Sequence, residues 1–191
     1  MTDPYVLPNG VLRNRLGITD AAMLAAAEAD ITRARILQVD EYPPPGDFGL
    51  LHLRRFHSAI FSDLYDWAGE LRTVDIAKHT PFCPLQHLSA YAAEVFGRLR
   101  AADHLRGLAR GDFVRAAAGL YGDINALHPF REGNGRTQRS FLTALSRQAG
   151  WPISWAGLAP DENQEASIKS FLGDNQPLER MLDQLVSQEP G

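Results

Sequence analysis

Leu127-His128-Pro129-Phe130-Arg131-Glu132-Gly133-Asn134-Gly135-Arg136-Thr137-Gln138-Arg139 is the stretch on which the reading of this chain turns. It lies between two segments with strong helical periodicity, Asp112 to Leu127 and Arg136 to Ala149, so it reads as a helix-loop-helix junction loaded with polar groups. Pro129 disfavours helical geometry at His128, which puts the imidazole at the end of the preceding helix, facing the loop, where a proton acceptor would be useful. Gly133, Asn134 and Gly135 form a turn of little bulk, and the next helix begins at once. Unpaired backbone N–H groups therefore point at whatever occupies the loop, which makes it a ready anion site. Arg136 and Arg139, three apart, share one face of the first helical turn and both reach an anion bound there. Glu132 would repel that anion unless a cation bridges them, and Mg²⁺ held by a carboxylate and phosphate oxygens does so. A base, a metal ligand and a phosphate cradle are the parts needed for nucleotidyl or phosphoryl transfer to a hydroxyl.

Outward from the loop the pattern is nearly all helical. Thr19 and Asp20 stand as caps before an Ala-rich helix over residues 20 to 39, and the Pro43-Pro44-Pro45-Gly46 cluster separates it from a second helix over Phe48 to Tyr65. Further helical patterns run over Leu85 to Ala101 and, more weakly, Glu162 to Leu172 and Pro177 to Val186. Between Leu71 and Lys78 the period changes: Val74 and Ile76 alternate with Thr73, Asp75 and Lys78, which predicts a short hairpin. The expected fold class is all-α, one helical bundle spanning 1–191 with a small β-hairpin flap over about 71–83 beside the loop.

Composition narrows the function classes. With 191 residues, 45% hydrophobic and 22% charged, the chain has enough apolar content for one soluble domain with a real core. A formal charge of −4 argues against coating nucleic acid, so the Arg131, Arg136 and Arg139 cluster calls for a local explanation. The single cysteine, Cys83, cannot form an internal disulfide and has no neighbouring base in sequence, so a structural role and a reducing compartment are expected. Met1 to Gly10 lacks a secretory pattern and no apolar run is long enough to span a bilayer, so a cytoplasmic location without membrane residence follows.

The run His128 to Arg139 fits His-x-Phe-x-(Asp/Glu)-Gly-Asn-Gly-Arg-x-x-Arg at every fixed position. That is the signature of the Fic family, and a chance match is on the order of one in a billion or rarer per start site. Trp67-Ala68-Gly69-Glu70-Leu71-Arg72, followed by Val74 and Ile76, also resembles the family's lead-in to its flap, and Tyr5 to Ile18 resembles bacterial Fic toxins. The resemblance implies a protein adenylyltransferase that uses ATP and Mg²⁺. In it His128 deprotonates the target hydroxyl, Phe130 anchors the loop and Glu132 coordinates Mg²⁺. Gly133, Asn134 and Gly135 would form the anion hole, while Arg136 holds the β/γ phosphates and Arg139 the γ-phosphate. The flap, with Val74, Ile76 and Lys78, would dock an extended target segment by strand addition.

Some relatives are switched off by a helix bearing (Ser/Thr)-x-x-x-Glu-(Gly/Asn). Here only Glu132 and Glu162 precede Gly or Asn, and His128 and Leu158 stand four residues earlier, so the motif is missing. The resemblance therefore implies a separate small antitoxin whose Glu meets Arg139, with tyrosine acceptors in B-type subunits of DNA gyrase and topoisomerase IV as targets.

Other readings are weighed on the same residues. Gly133-x-Gly135 is not a dinucleotide fingerprint, because Gln138 stands where the third glycine belongs and a helix precedes the loop. His52 and His57, five apart, lack the spacing of a helical zinc pair and read as ordinary helix residues, as Trp67, Trp151 and Trp155 read as packing residues. Altered transfer (phosphorylation, UMPylation or removal of AMP) and a non-catalytic nucleotide-binding module stay open.

Overall fold

The computed structural model describes residues 3–77 and 82–188. Helix α1 spans Ala21–Glu41, and Asp20 caps it by accepting the Met23 N–H at 2.9 Å. After the proline cluster, α2 (Leu50–Phe61) is buried along one face by Leu53, Phe56, Ile60 and Phe61. His52 belongs to its entrance: Nδ1 accepts the Phe48 N–H at 3.0 Å and Nε2 donates to the Pro44 carbonyl at 2.7 Å, which satisfies groups that would otherwise be buried unpaired. Next come α3 (Leu88–Ala101), α4 (Arg110–Leu127), α5 (Asn134–Ala149), α6 (Pro160–Phe171) and α7 (Gln176–Leu185).

Helix α5 is the centre. It packs against α1, α2 and α4, and Phe141 meets Phe48, Phe56 and Phe96 edge-on, with centroids 5.5, 5.7 and 6.1 Å away. Edge-to-face pairs of this kind add to the area they bury. On the other side, α6 and α7 close over α4, with Leu178, Met181 and Leu182 fully buried. Gly122 permits the approach, since a Cβ there would overlap the Ser170 hydroxyl. Among the described residues no helix is long and apolar enough to cross a membrane.

The helical expectations hold, with shifted ends. Helix α2 stops at Phe61 and gives way to turns, while α4 and α5 start two residues earlier than Asp112 and Arg136. The flap is described only in part, residues 78–81 lying outside the described residues. Between described residues, β pairing is confined to isolated bridges, Val6 with Leu12 and Ile153 with Val186, and no hairpin is shown over 71–83. Phe82 N–H meets the Ile76 carbonyl at 3.3 Å, while Lys78 lies outside the described residues. The backbone at the base of this segment is held from elsewhere. Arg72 N–H donates to Pro129, Cys83 N–H to Ala126, and the Arg72 side chain takes the carbonyls of Val74 and Cys83.

Candidate active site

The loop between α4 and α5 is held from beneath by buried side chains. His128 closes α4, its N–H on the Ile124 carbonyl at 3.0 Å, but in a left-handed conformation (φ 43°, ψ 61°) that turns the chain out of the helix just before Pro129. The Arg72 side chain, 2% exposed, donates through Nε to the His128 carbonyl at 2.9 Å. Phe130, 1% exposed, stacks on the His57 ring with centroids 3.9 Å apart. Asn134 clamps the same residue from the other end, accepting the Phe130 N–H at 2.9 Å and donating to its carbonyl at 2.8 Å.

His57 is the residue that ties these parts together. Its Nδ1 accepts the Gly69 N–H at 2.8 Å, so the ring proton sits on Nε2, which donates to the Glu132 carbonyl at 3.0 Å. Burial, aided by the nearby Arg136 charge, pushes its pKa down to about 4, so the ring is neutral near pH 7. Gly133 is required twice over: φ is +80°, and a Cβ would fall within 3.0 Å of the Phe61 ring.

Above the loop lies a cavity of about 590 Å³. His128, Glu132, Asn134, Gly135 and Arg139 line it together with Phe82, and Trp155, Leu158, Ile168 and Phe171 supply apolar wall. His128 Nδ1 donates to the Asn125 carbonyl at 3.2 Å, which makes Nε2 the basic nitrogen, and the ring stacks on Phe82 at 3.7 Å. Asn134, Gly135 and Arg136 are the first residues of α5, so their N–H groups have no partner within the helix. Gly135 differs from Gly133, since a Cβ there would meet only Arg139 Nη1 at 3.4 Å. The fold does not require a glycine at 135; a ligand lying against that backbone would.

The two arginines part company. Arg139 lines the cavity, whereas Arg136 turns to α1, bonded to Glu28 and, at 3.1 Å, to Thr32, with its guanidinium 4.9 Å above the Phe61 ring. Glu132 sits 3.6 Å from Arg136 and accepts the Gly133 N–H at 2.8 Å. Val74 is half-buried at the segment base and Ile76 reaches the cavity rim. Among the described residues no group of three His, Cys, Asp or Glu could hold a metal.

Sequence reasoning missed His57, Arg72, Glu28 and Phe82, which act across 75, 56, 108 and 46 residues of chain respectively. The one usable signal was Arg72, which closes the Trp67-Ala68-Gly69-Glu70-Leu71-Arg72 run already set apart in the sequence. Trp67 and Trp151 pack as expected, Trp67 on Tyr65 at 4.3 Å and Trp151 with Nε1 on the Leu108 carbonyl; Trp155 packs and also lines the cavity. Cys83 contributes its backbone to the flap base.

Residues 47–146 match the Fic/DOC family. The chain is similar to protein adenylyltransferase VbhT of Bartonella schoenbuchensis, 40% identical over 91% of this chain and spanning 37% of that protein's length. It is also similar to the probable protein adenylyltransferase Fic of Salmonella typhimurium, 37% identical over 97% of this chain and 93% of the relative. Among solved structures, the N-terminal Fic domain of a Bartonella quintana effector with bound ADP superposes with a TM-score of 0.90, at 27% identity over 97% of this chain and 95% of that one.

Proposed function

This chain is a nucleotidyltransferase of the Fic/DOC family, and on that premise we propose that it moves AMP from ATP to a hydroxyl side chain, in the first instance tyrosine, of another protein. The observation that carries the reading is the meeting of His128, Glu132, Gly135 and Arg139 around one cavity. His128 Nε2 takes the proton of the acceptor hydroxyl as its oxygen bonds to the α-phosphorus; the bond from that phosphorus to the β-bridging oxygen breaks, and pyrophosphate leaves with the electron pair. The N–H groups at the start of α5 and Arg139 hold the phosphates, and the absence of a side chain at Gly135 lets them come close. The base lies toward the apolar wall of Trp155, Leu158, Ile168 and Phe171. A lone carboxylate at the cavity suits an ion that arrives with the nucleotide, since Mg²⁺ takes few protein ligands beside phosphate and water; Glu132 would hold it, and it would neutralise charge developing on the phosphates.

The finer parts of the reading belong to the same proposal. Residues 1–191 act as one unit in the cytoplasm, and the 71–83 segment docks an extended target strand along Val74, Ile76 and Lys78. Support comes from Arg72, which secures the base of that segment to the catalytic loop. The missing inhibitory motif favours a toxin restrained by a separate antitoxin that offers a Glu to Arg139, with B-type gyrase and topoisomerase IV subunits as targets.

The deciding experiment is incubation with α-³²P-ATP and Mg²⁺ in bacterial lysate, wild type against His128→Ala. Labelled proteins that vanish in the variant support transfer. Acceptors that gain a phosphate-sized instead of an AMP-sized mass overturn it in favour of kinase chemistry.

A further inference from the structure

Beside the apolar wall the cavity carries a polar contact that the transfer step does not use. Tyr121 of α4 is 2% exposed, and its hydroxyl donates to Asn163 Oδ1 of α6 at 2.7 Å. Both side chains line the cavity, as does Arg139, whose positive charge acts on the Tyr121 hydroxyl. A nearby positive charge attracts the hydroxyl oxygen and turns its single proton away, which agrees with the donation to Asn163. The amide must therefore present its carbonyl oxygen to Tyr121. Its Nδ2, which has no protein partner among the described residues, is the end left for an occupant of the cavity.

We propose that Tyr121 sets which nucleobase the cavity accepts, by locking Asn163 as a hydrogen-bond donor toward the base. This rests on the nucleotide-transfer reading above. Adenine offers a lone pair at N1 where hypoxanthine and guanine carry N1–H. A locked donor accepts the first and meets a second donor in the others, leaving two polar hydrogens opposed in a partly dry site. An amide free to turn would serve either base.

The test compares ATP with ITP, which differs from ATP only on that edge, using calorimetric binding to the full chain without any acceptor protein. Wild type should favour ATP, and Tyr121→Phe, which keeps the ring and removes the hydroxyl, should lower the ATP-to-ITP affinity ratio roughly tenfold. Asn163→Ala, at a partly exposed position, should lower the ratio by a similar factor and carries the test should Tyr121→Phe lose its melting transition. The double variant should lose no more than either single one, because the two groups act through one contact. An unchanged ratio in folded Tyr121→Phe and Asn163→Ala overturns the proposal and leaves the transfer reading standing. Wild type that binds neither nucleotide overturns the transfer reading and this proposal with it.

Discussion

His57 makes the stability of this protein depend on pH in a window that can be worked out beforehand. Its pKa lies at about 4 in the folded chain against an ordinary 6.5, so the unfolded chain binds the proton first as pH falls. Stability from this residue is complete above about pH 6.5 and is lost progressively between there and about pH 4, below which both states are protonated and nothing more is lost. With those two values, the loss between pH 7 and pH 5 is about 2 kcal/mol, near 1 M in a urea midpoint for a chain of this size. The assay is urea unfolding at pH 7 and pH 5, followed by tryptophan fluorescence, for wild type and His57→Gln, which keeps an acceptor and a donor but does not titrate. His52, also pushed down by burial, shifts stability in the same direction, so the informative quantity is the difference between the two proteins. His57→Gln should be less stable at pH 7 and flatter with pH. A variant that falls with pH as steeply as wild type would refute the assignment of a neutral, buried His57 between Gly69 and Glu132.

Four further outcomes follow from the loop. Gly133→Ala combines a left-handed backbone with overlap on Phe61 and should cost about 2 to 4 kcal/mol, read as a melting temperature lower by roughly 5 to 10 °C. Gly135→Ala, in contrast, should leave the melting temperature unchanged or slightly raised, as alanine favours helix, while weakening ATP binding by roughly tenfold or more in calorimetry. Arg72→Met strands the carbonyls of His128, Val74 and Cys83 and should cost about 3 to 5 kcal/mol in chemical denaturation. Glu28→Gln frees Arg136 to close on Glu132, so the Mg²⁺ concentration for half-maximal transfer should rise several-fold; an unchanged requirement would show that Glu28 has no hold on the carboxylate.

The helices were legible because most bury an apolar stripe at helical period, and α1, rich in alanine, is bounded by chemistry visible in one dimension: Asp20 before it and the three prolines after it. The loop was legible for a different reason, since His128, Glu132, Gly135 and Arg139 are close in sequence and their spacing alone brings them to one cavity. What supports the loop could not be read that way. Arg72 and His57 look like any arginine and histidine until the fold sets their hydrogens against carbonyls more than fifty residues on. Arg136 is the converse case. Its spacing from Arg139 allows both to face one anion, but Glu28 and Thr32, on a helix a hundred residues earlier, compete for it. Of the flap, only the base is described, and there alternation in sequence reports which residues face which way but not that several backbone groups are held by the Arg72 side chain or by the residues around His128.

His128 holds a left-handed backbone conformation that costs a non-glycine residue about 1 kcal/mol, and asparagine is among the residues that tolerate it best. Histidine and asparagine codons differ by a single base. With His128 in its proposed role, the most accessible route to a silent enzyme is thus one that the fold does not oppose: the chemistry would disappear, while the cavity, the loop and the folded chain persist. A lineage in which the activity became a burden could shed it in one mutational step and keep a stable nucleotide-binding protein, available for some other use.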